Sequence, residues 1–299
     1  MELLRLIEGI RTPFLDTVIG LITRLGEETV GVVLLCAIFW CISKKIAYVI
    51  GIAFFLSGLT VQGMKICFRV DRPWVADPTL NPVPSALEYS TGYSFPSGHT
   101  QSAAALFGAL GVQMKQRAAM TICFIIPFLV AFSRMYLGVH TLLDVVTSLA
   151  ISFLLILLTV KVFAGDEVNK KREFIISLVM LLYAIVVIVI AVVLYSNGTI
   201  GHNYIADCLK AAGAGIGFAV GMFIERVYID FSVKTKGIIW QVIKFILGFI
   251  GVLAIKEGLK LIIGTGLAAD TFRYFLMLTW VTVFYPLIIK RFFALRESG

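Results

Sequence analysis

The chain has 299 residues, of which 59% are hydrophobic and only 15% charged, with a formal net charge of +8. Soluble domains are usually nearer a quarter charged, and here the apolar residues come in runs of about 17–25, the length a helix needs to cross a ~30 Å hydrocarbon core. An ordinary soluble enzyme is excluded; the positive charge reads as an orientation signal in loops, not as a nucleic-acid footprint, and no nucleic-acid partner is expected.

Residues 1–25 carry Glu2, Arg5, Glu8, Arg11 and Asp16 among their apolar residues. This is not the pattern of a cleaved signal peptide; it predicts an amphipathic helix lying in the interface, broken near Pro13. Spanning helices are predicted at 27–43, 46–68, 98–114, 118–138, 141–164, 173–196, 206–228, 237–263 and 271–290. The expected fold class is therefore all-α, a polytopic membrane bundle of about nine spanning helices. With nine alternating helices, Lys44, Lys45, Lys115, Arg117, Lys161, Lys170, Lys171, Arg172, Arg226, Lys234, Lys236, Lys290, Arg291 and Arg296 all fall on one side, which should be cytoplasmic and hold the C-terminus. Three units are expected: the interfacial segment 1–25, a core 26–165, and further helices over 166–299, with a seam in the loop 165–173.

The five cysteines (Cys36, Cys41, Cys67, Cys123, Cys208) lie mostly inside apolar runs, without metal-type spacing. They read as small hydrophobes, not as a disulfide framework.

Polar groups that a membrane helix does not need carry the functional signal. "KICFRVDRP" supplies Lys65, Arg69, Asp71, Arg72 and Pro73; "PSGH" runs from Pro96 to His99; "SRMYLGVHTLLD" supplies Ser133, Arg134, His140 and Asp144. Alternation puts all three on the side opposite the basic loops. Asp144 lies one helical turn after His140, so its carboxylate can reach one imidazole nitrogen, fix the tautomer and raise the basicity of the other. Lys65, Arg72 and Arg134 together call for an anion, and guanidinium forks match phosphate oxygens. Ser97 and Gly98 open a helix whose free N–H groups favour the same anion. His99, one residue further, is placed to protonate a leaving oxygen. Arg69 reads equally as an interfacial anchor, and His202 as a solvated loop residue.

These three stretches (Lys65, six residues, Arg72–Pro73; Pro96–Ser97–Gly98–His99; Ser133–Arg134, five residues, His140, three residues, Asp144) resemble the three-part signature of the type 2 phosphatidic acid phosphatases. That family shares its active-site plan with vanadium haloperoxidases. The resemblance covers residues 65–144. It implies that His140 forms a phosphohistidine, that Asp144 orients it, and that His99 protonates the leaving group and then activates water. Lys65, Arg72, Ser97, Gly98 and Arg134 would hold the phosphate. It implies no metal and no cofactor, and a membrane lipid phosphate or diphosphate as substrate, of the phosphatidic acid, phosphatidylglycerophosphate or undecaprenyl diphosphate type.

The chain departs from the usual core of about six spanning helices by adding several after Phe163. Gly213, Gly217 and Gly221 repeat at four in this part, a close-packing seam. It favours packing within one subunit over a homo-oligomer face. Lys256, Glu257 and Lys260 read as snorkelling anchors. The expected activity is hydrolysis at the extracytoplasmic face of an integral protein of a bacterial plasma membrane. Two rivals are a phosphotransferase using the same phosphohistidine, and an anion transporter, for which the His140–Asp144 pair and His99 would have no evident use.

Overall fold

The structure is a computed structural model that describes residues 1–87, 90–163 and 168–293. Among them every regular element is helical. The amphipathic N-terminal segment forms α1 (Glu2–Glu8) and α2 (Pro13–Thr23). The segment is broken just before Pro13, as expected, and Pro13 opens α2 at a position where its missing N–H costs nothing, with the Thr12 hydroxyl accepting from Leu15 N. α1 does not lie alone in an interface. It buries Leu4 and Ile7 in one cluster with Leu80 and Val83, Arg5 Nη2 donates to Asp77 Oδ2 at 2.7 Å, and Glu8 Oε1 accepts from Asn81 Nδ2 at 3.0 Å. The Thr79 hydroxyl, and after it Arg5, hold the Asp77 carboxyl down at about 2.

The longer helices follow: α3 (Glu28–Ile42), α4 (Lys44–Phe68), α5 (98–113), α6 (Arg117–Tyr136), α7 (Leu142–Val162), α8 (Lys170–Ser196), α9 (His202–Ile229), α10 (Ile238–Ile263) and α11 (Leu267–Phe292). Seven of the described helices are long and apolar enough to cross a membrane; an eighth span arises if Pro13–Gly26 and Glu28–Ile42, bent by 52°, count as one. The expected count of about nine is therefore reduced. Over residues 98–113, α5 rises only about 24 Å, short of a ~30 Å core.

The inner helices are α4 and α9, the most buried of the spans, and α10 is the least. α4 packs on α5, α7, α8 and α9, and α9 in turn on α8 and α11. At the α9–α11 contact a Cβ on Gly213 or Gly217 would strike the backbone oxygens of Thr271 and Phe275, and one on Gly221 would strike Thr282. The glycine seam is thus filled inside the subunit, as close helix packing requires.

At the end of the bundle where α4 begins, Glu225 is fully buried and accepts from Lys44 Nζ at 2.9 Å, from Phe231 N at 3.1 Å and from the Tyr48 hydroxyl. Glu173, also fully buried, receives Arg172 at 2.9 Å and Arg226 at 3.1 Å. Several of the basic loop residues are therefore partners in buried ion pairs that join α9 to α4 and to α8. All five cysteines are free thiols. His202 is exposed at the start of α9, its ring edge-on to Tyr195; on α10, Glu257 and Lys260 are exposed and Lys256 is half-buried. Arg296 and the seam residues 165–167 lie outside the described residues.

Candidate active site

The three polar stretches meet where α4 ends, α5 begins and α6 turns into α7. Arg72 follows the left-handed residue Arg69, which closes α4. Its guanidinium is held by carbonyls: Nε on Gly92 O at 2.9 Å, Nη2 on Thr91 O at 2.7 Å, and Nη1 on Val139 O at 3.0 Å. The same Nη1 stands 2.9 Å from His140 Nε2. Since arginine only donates, Nε2 is the unprotonated nitrogen and Nδ1 carries the hydrogen.

His140 Nδ1 is 3.4 Å from Asp144 Oδ2. That oxygen is already engaged, accepting from Ser94 Oγ at 2.6 Å and from Thr141 N at 2.7 Å. Asp144 N returns to Thr141 Oγ1 at 3.3 Å, which completes a capping box at the start of α7. The carboxylate is therefore fixed by the helix start before it acts on the histidine. His140 itself is 1% exposed and sits in the turn between two spans. Burial first, then Arg72, Arg134 and Lys65, holds its imidazole well below the usual range, so it is neutral.

Lys65 Nζ donates to Tyr93 O. Arg134, 1% exposed, gives Nη1 to Thr23 Oγ1 at 3.0 Å and Nη2 to Ser90 Oγ at 2.8 Å, while its Nε has no partner among the described residues. A buried guanidinium N–H left open in this way suits an anion's oxygen. Lys65, Arg72, Arg134, Gly98, His99 and His140 line one cavity of about 300 Å³. A Cβ on Gly98 would meet nothing within 4 Å, so the backbone there is open to the cavity. His99 and Arg134 also line a second cavity of about 250 Å³ under α2.

Ser97 departs from its expected place. It is fully buried; its hydroxyl accepts from Thr100 N at 3.4 Å and Thr100 Oγ1 at 2.9 Å, and its own N–H is spent on Asp144 O at 3.2 Å. It is the cap of α5 and does not line the cavity. Ser148 Oγ ties the two helix starts, donating within reach of both Ser97 O (2.8 Å) and Asp144 O (2.9 Å). Sequence reasoning missed Ser94, Ser90, Thr23 and Ser148. Only Thr141 had a local signal, its position three residues before Asp144 at a helix start; the others come from remote segments. Among the described residues no group of three or more His, Cys, Asp or Glu side chains could hold a metal ion.

Residues 45–167 match the model of the PAP2 superfamily, and residues 209–297 match a second one described as the PAP2 superfamily phosphatase transmembrane extension. The chain is 28% identical over 182 residues to phosphatidylglycerophosphatase B of Bacillus subtilis, covering 55% of this chain and 82% of that one. Among solved structures, LpxE of Aquifex aeolicus is similar at 29% identity and a TM-score of 0.48, over 54% of this chain and 93% of that one. A PAP2-type phosphatidylglycerolphosphate phosphatase of Bacillus subtilis is similar at 22% identity and a TM-score of 0.47, over 55% of this chain and 84% of that one. With the two family models matching both the segment that carries the three motifs and most of the helices that follow it, the chain belongs to the PAP2 superfamily and is an integral membrane phosphatase.

Proposed function

We propose that this protein hydrolyses lipid phosphates at the extracytoplasmic face of a bacterial plasma membrane, through a phosphohistidine on His140. The carrying observation is the sorting of the two nitrogens of His140: Nδ1 faces Asp144 and Nε2 faces Arg72 on the cavity side. Nε2 attacks phosphorus as the bond to the leaving oxygen breaks, and His99 gives that oxygen its proton. Water then attacks phosphorus while His99 takes a proton from it, and the phosphorus–nitrogen bond breaks with its electron pair returning to Nε2, restoring both histidines. Lys65, Arg72 and Arg134 hold the three phosphoryl oxygens as charge develops on them, and the open backbone at Gly98 adds N–H dipoles at the start of α5. Ser97 and Asp144 act from behind, holding the helix starts that set where His99 and His140 stand. The core over 26–165 carries this chemistry and 166–299 is the extension.

The extracytoplasmic placement rests on the basic residues gathered at the opposite end of the spans. The similarity to phosphatidylglycerophosphatase B of Bacillus subtilis makes phosphatidylglycerophosphate a first substrate to try, beside phosphatidic acid and undecaprenyl diphosphate. Purified His140→Ala is expected to release inorganic phosphate from such lipids at least about a thousandfold more slowly than wild type, and wild type quenched in turnover should carry an acid-labile, base-stable phosphoryl group that the variant lacks. Undiminished release by the variant would sink the assignment. Transfer of the phosphate to an added lipid or sugar alcohol, in place of water, would convert the reading into a phosphotransferase.

A further inference from the structure

The cavity that holds the phosphate cluster does not end at it. Its far wall is one face of α9, a helix of the C-terminal extension, where Tyr204, Asp207, Lys210, Ala211 and Ala214 follow at helical spacing. Two features show that this wall is built onto the phosphate site. Tyr204 stacks on Tyr93, with ring centres 4.1 Å apart and planes 14° apart, and Tyr93 is the residue whose carbonyl receives Lys65. Lys210 is braced from two sides, 3.9 Å from Asp207 and 3.7 Å from Asp270, and Asp270 is itself held by Arg273 Nη2 at 2.6 Å. Glu28, at the start of α3, opens onto the same cavity and makes no hydrogen bond or ion pair with any described residue.

The charges on this wall differ in balance from those around His140. Near His140 there are three cations, enough for one transferring phosphoryl group. Beyond them the cavity offers two carboxylates, Asp207 and Glu28, and the ammonium of Lys210, with Lys256 of α10 near Glu28. A second phosphate placed there would find no surplus of positive charge and would face two carboxylates, and like charges in a partly dry site repel strongly. Alcohol hydroxyls behave differently: each can donate to a carboxylate and accept from an ammonium, with no charge of its own to desolvate.

We propose that Asp207 and Lys210 of the extension, with Glu28 of α3, form a headgroup subsite that binds the hydroxyls of a polyol or sugar leaving group. It rests on the phosphatase reading above and names the substrate class for that site: phosphate monoesters of hydroxylated alcohols, in preference to diphosphates. Tyr204 acts as a positioning residue, setting the wall against the phosphate loop.

The test compares kcat/KM for three lipids in the full-length protein: a glycerol-headgroup phosphate monoester, phosphatidic acid, and a prenyl diphosphate. Wild type should favour the first. In Asp207→Asn and, separately, Glu28→Gln, the preference for the first over phosphatidic acid should fall about tenfold, the effect of one charge-assisted hydrogen bond. Because the ratio is taken within one preparation, an inactive fraction cancels, and the two substitutions sit on different helices. A prenyl diphosphate as the best wild-type substrate, or unchanged ratios in both variants, would overturn the subsite. His140→Ala assayed on the same panel separates the two readings. Activity surviving there defeats the phosphatase site, whereas activity lost there with unchanged ratios in Asp207→Asn and Glu28→Gln defeats the subsite alone.

Discussion

His140 takes its chemistry from a different neighbour on each ring nitrogen, and both neighbours are held by groups with other work to do. Arg72 is fixed by three carbonyls before it meets Nε2, and Asp144 by Thr141 N and Ser94 Oγ before it faces Nδ1. At 3.4 Å the carboxylate is a loose partner to the ring, so its position depends on the second acceptor–donor pair with Ser94. Ser94→Ala should therefore lower kcat by about tenfold to a hundredfold, the worth of a hydrogen bond to a charged group. KM should change little, because Ser94 does not line the cavity. Steady-state kinetics on one lipid phosphate would check this split. His140, Asp144, His99 and the three cations were legible as residues, since charge and imidazole stand out in an apolar chain. Ser94, Ser90 and Thr23 were not, because a serine or threonine in a loop or at a helix end carries no mark of what it will face.

At the scale of single elements, helix starts and ends do most of the positioning. α5 and α7 both open at the cavity, and their caps, Ser97 and Thr141, are tied together through Asp144 and Ser148. The three-residue turn Arg24–Gly26 lays the N-terminal segment over this arrangement. A Cβ on Gly26 would lie 2.5 Å from His99 O and 2.9 Å from Val130 Cγ1. The first neighbour is backbone and cannot swing aside, so Gly26→Ala should push the turn off α5. The expected cost is about 1–3 kcal/mol, seen as a lower Tm in detergent together with reduced phosphate release; an unchanged Tm would show that the turn can shift freely. The capping at α5 and α7 could be read from the chain, as Ser or Thr three residues ahead of the partner. The extent of α5 was legible as well: the expected 98–114 matches the observed 98–113, which ends at the extended backbone of Met114.

Across the whole molecule, the core and the extension are joined at both ends of α9. At the cavity end the joint is the Tyr93–Tyr204 stack; at the other it is the fully buried Glu225 with Lys44, Tyr48 and Phe231 N. Removing one member of a buried charge pair leaves the other uncompensated, at about 3–5 kcal/mol. Glu225→Gln should thus cause a larger loss of Tm than any exposed charge change, with the effect read by unfolding in detergent. A small effect would mean that Lys44 finds a sufficient partner in Asp230, 2.6 Å away.

The membrane class, the helical order of the spans and the three polar stretches follow from the sequence, because hydrophobic length, charge rarity and local spacing are properties of the chain itself. Of the nine expected spans, those at 27–43 and 98–114 form helices where expected but too short to cross by themselves, which leaves seven or eight among the described residues. What depended on tertiary packing is which polar groups share a volume. Ser97 was left out of the cavity lining, several of the basic loop residues became partners in buried ion pairs, and a helix more than fifty residues beyond Asp144 became a wall of the cavity. Such contacts join segments far apart in the chain, and their energies come from burial and distance, which no local pattern of residues encodes.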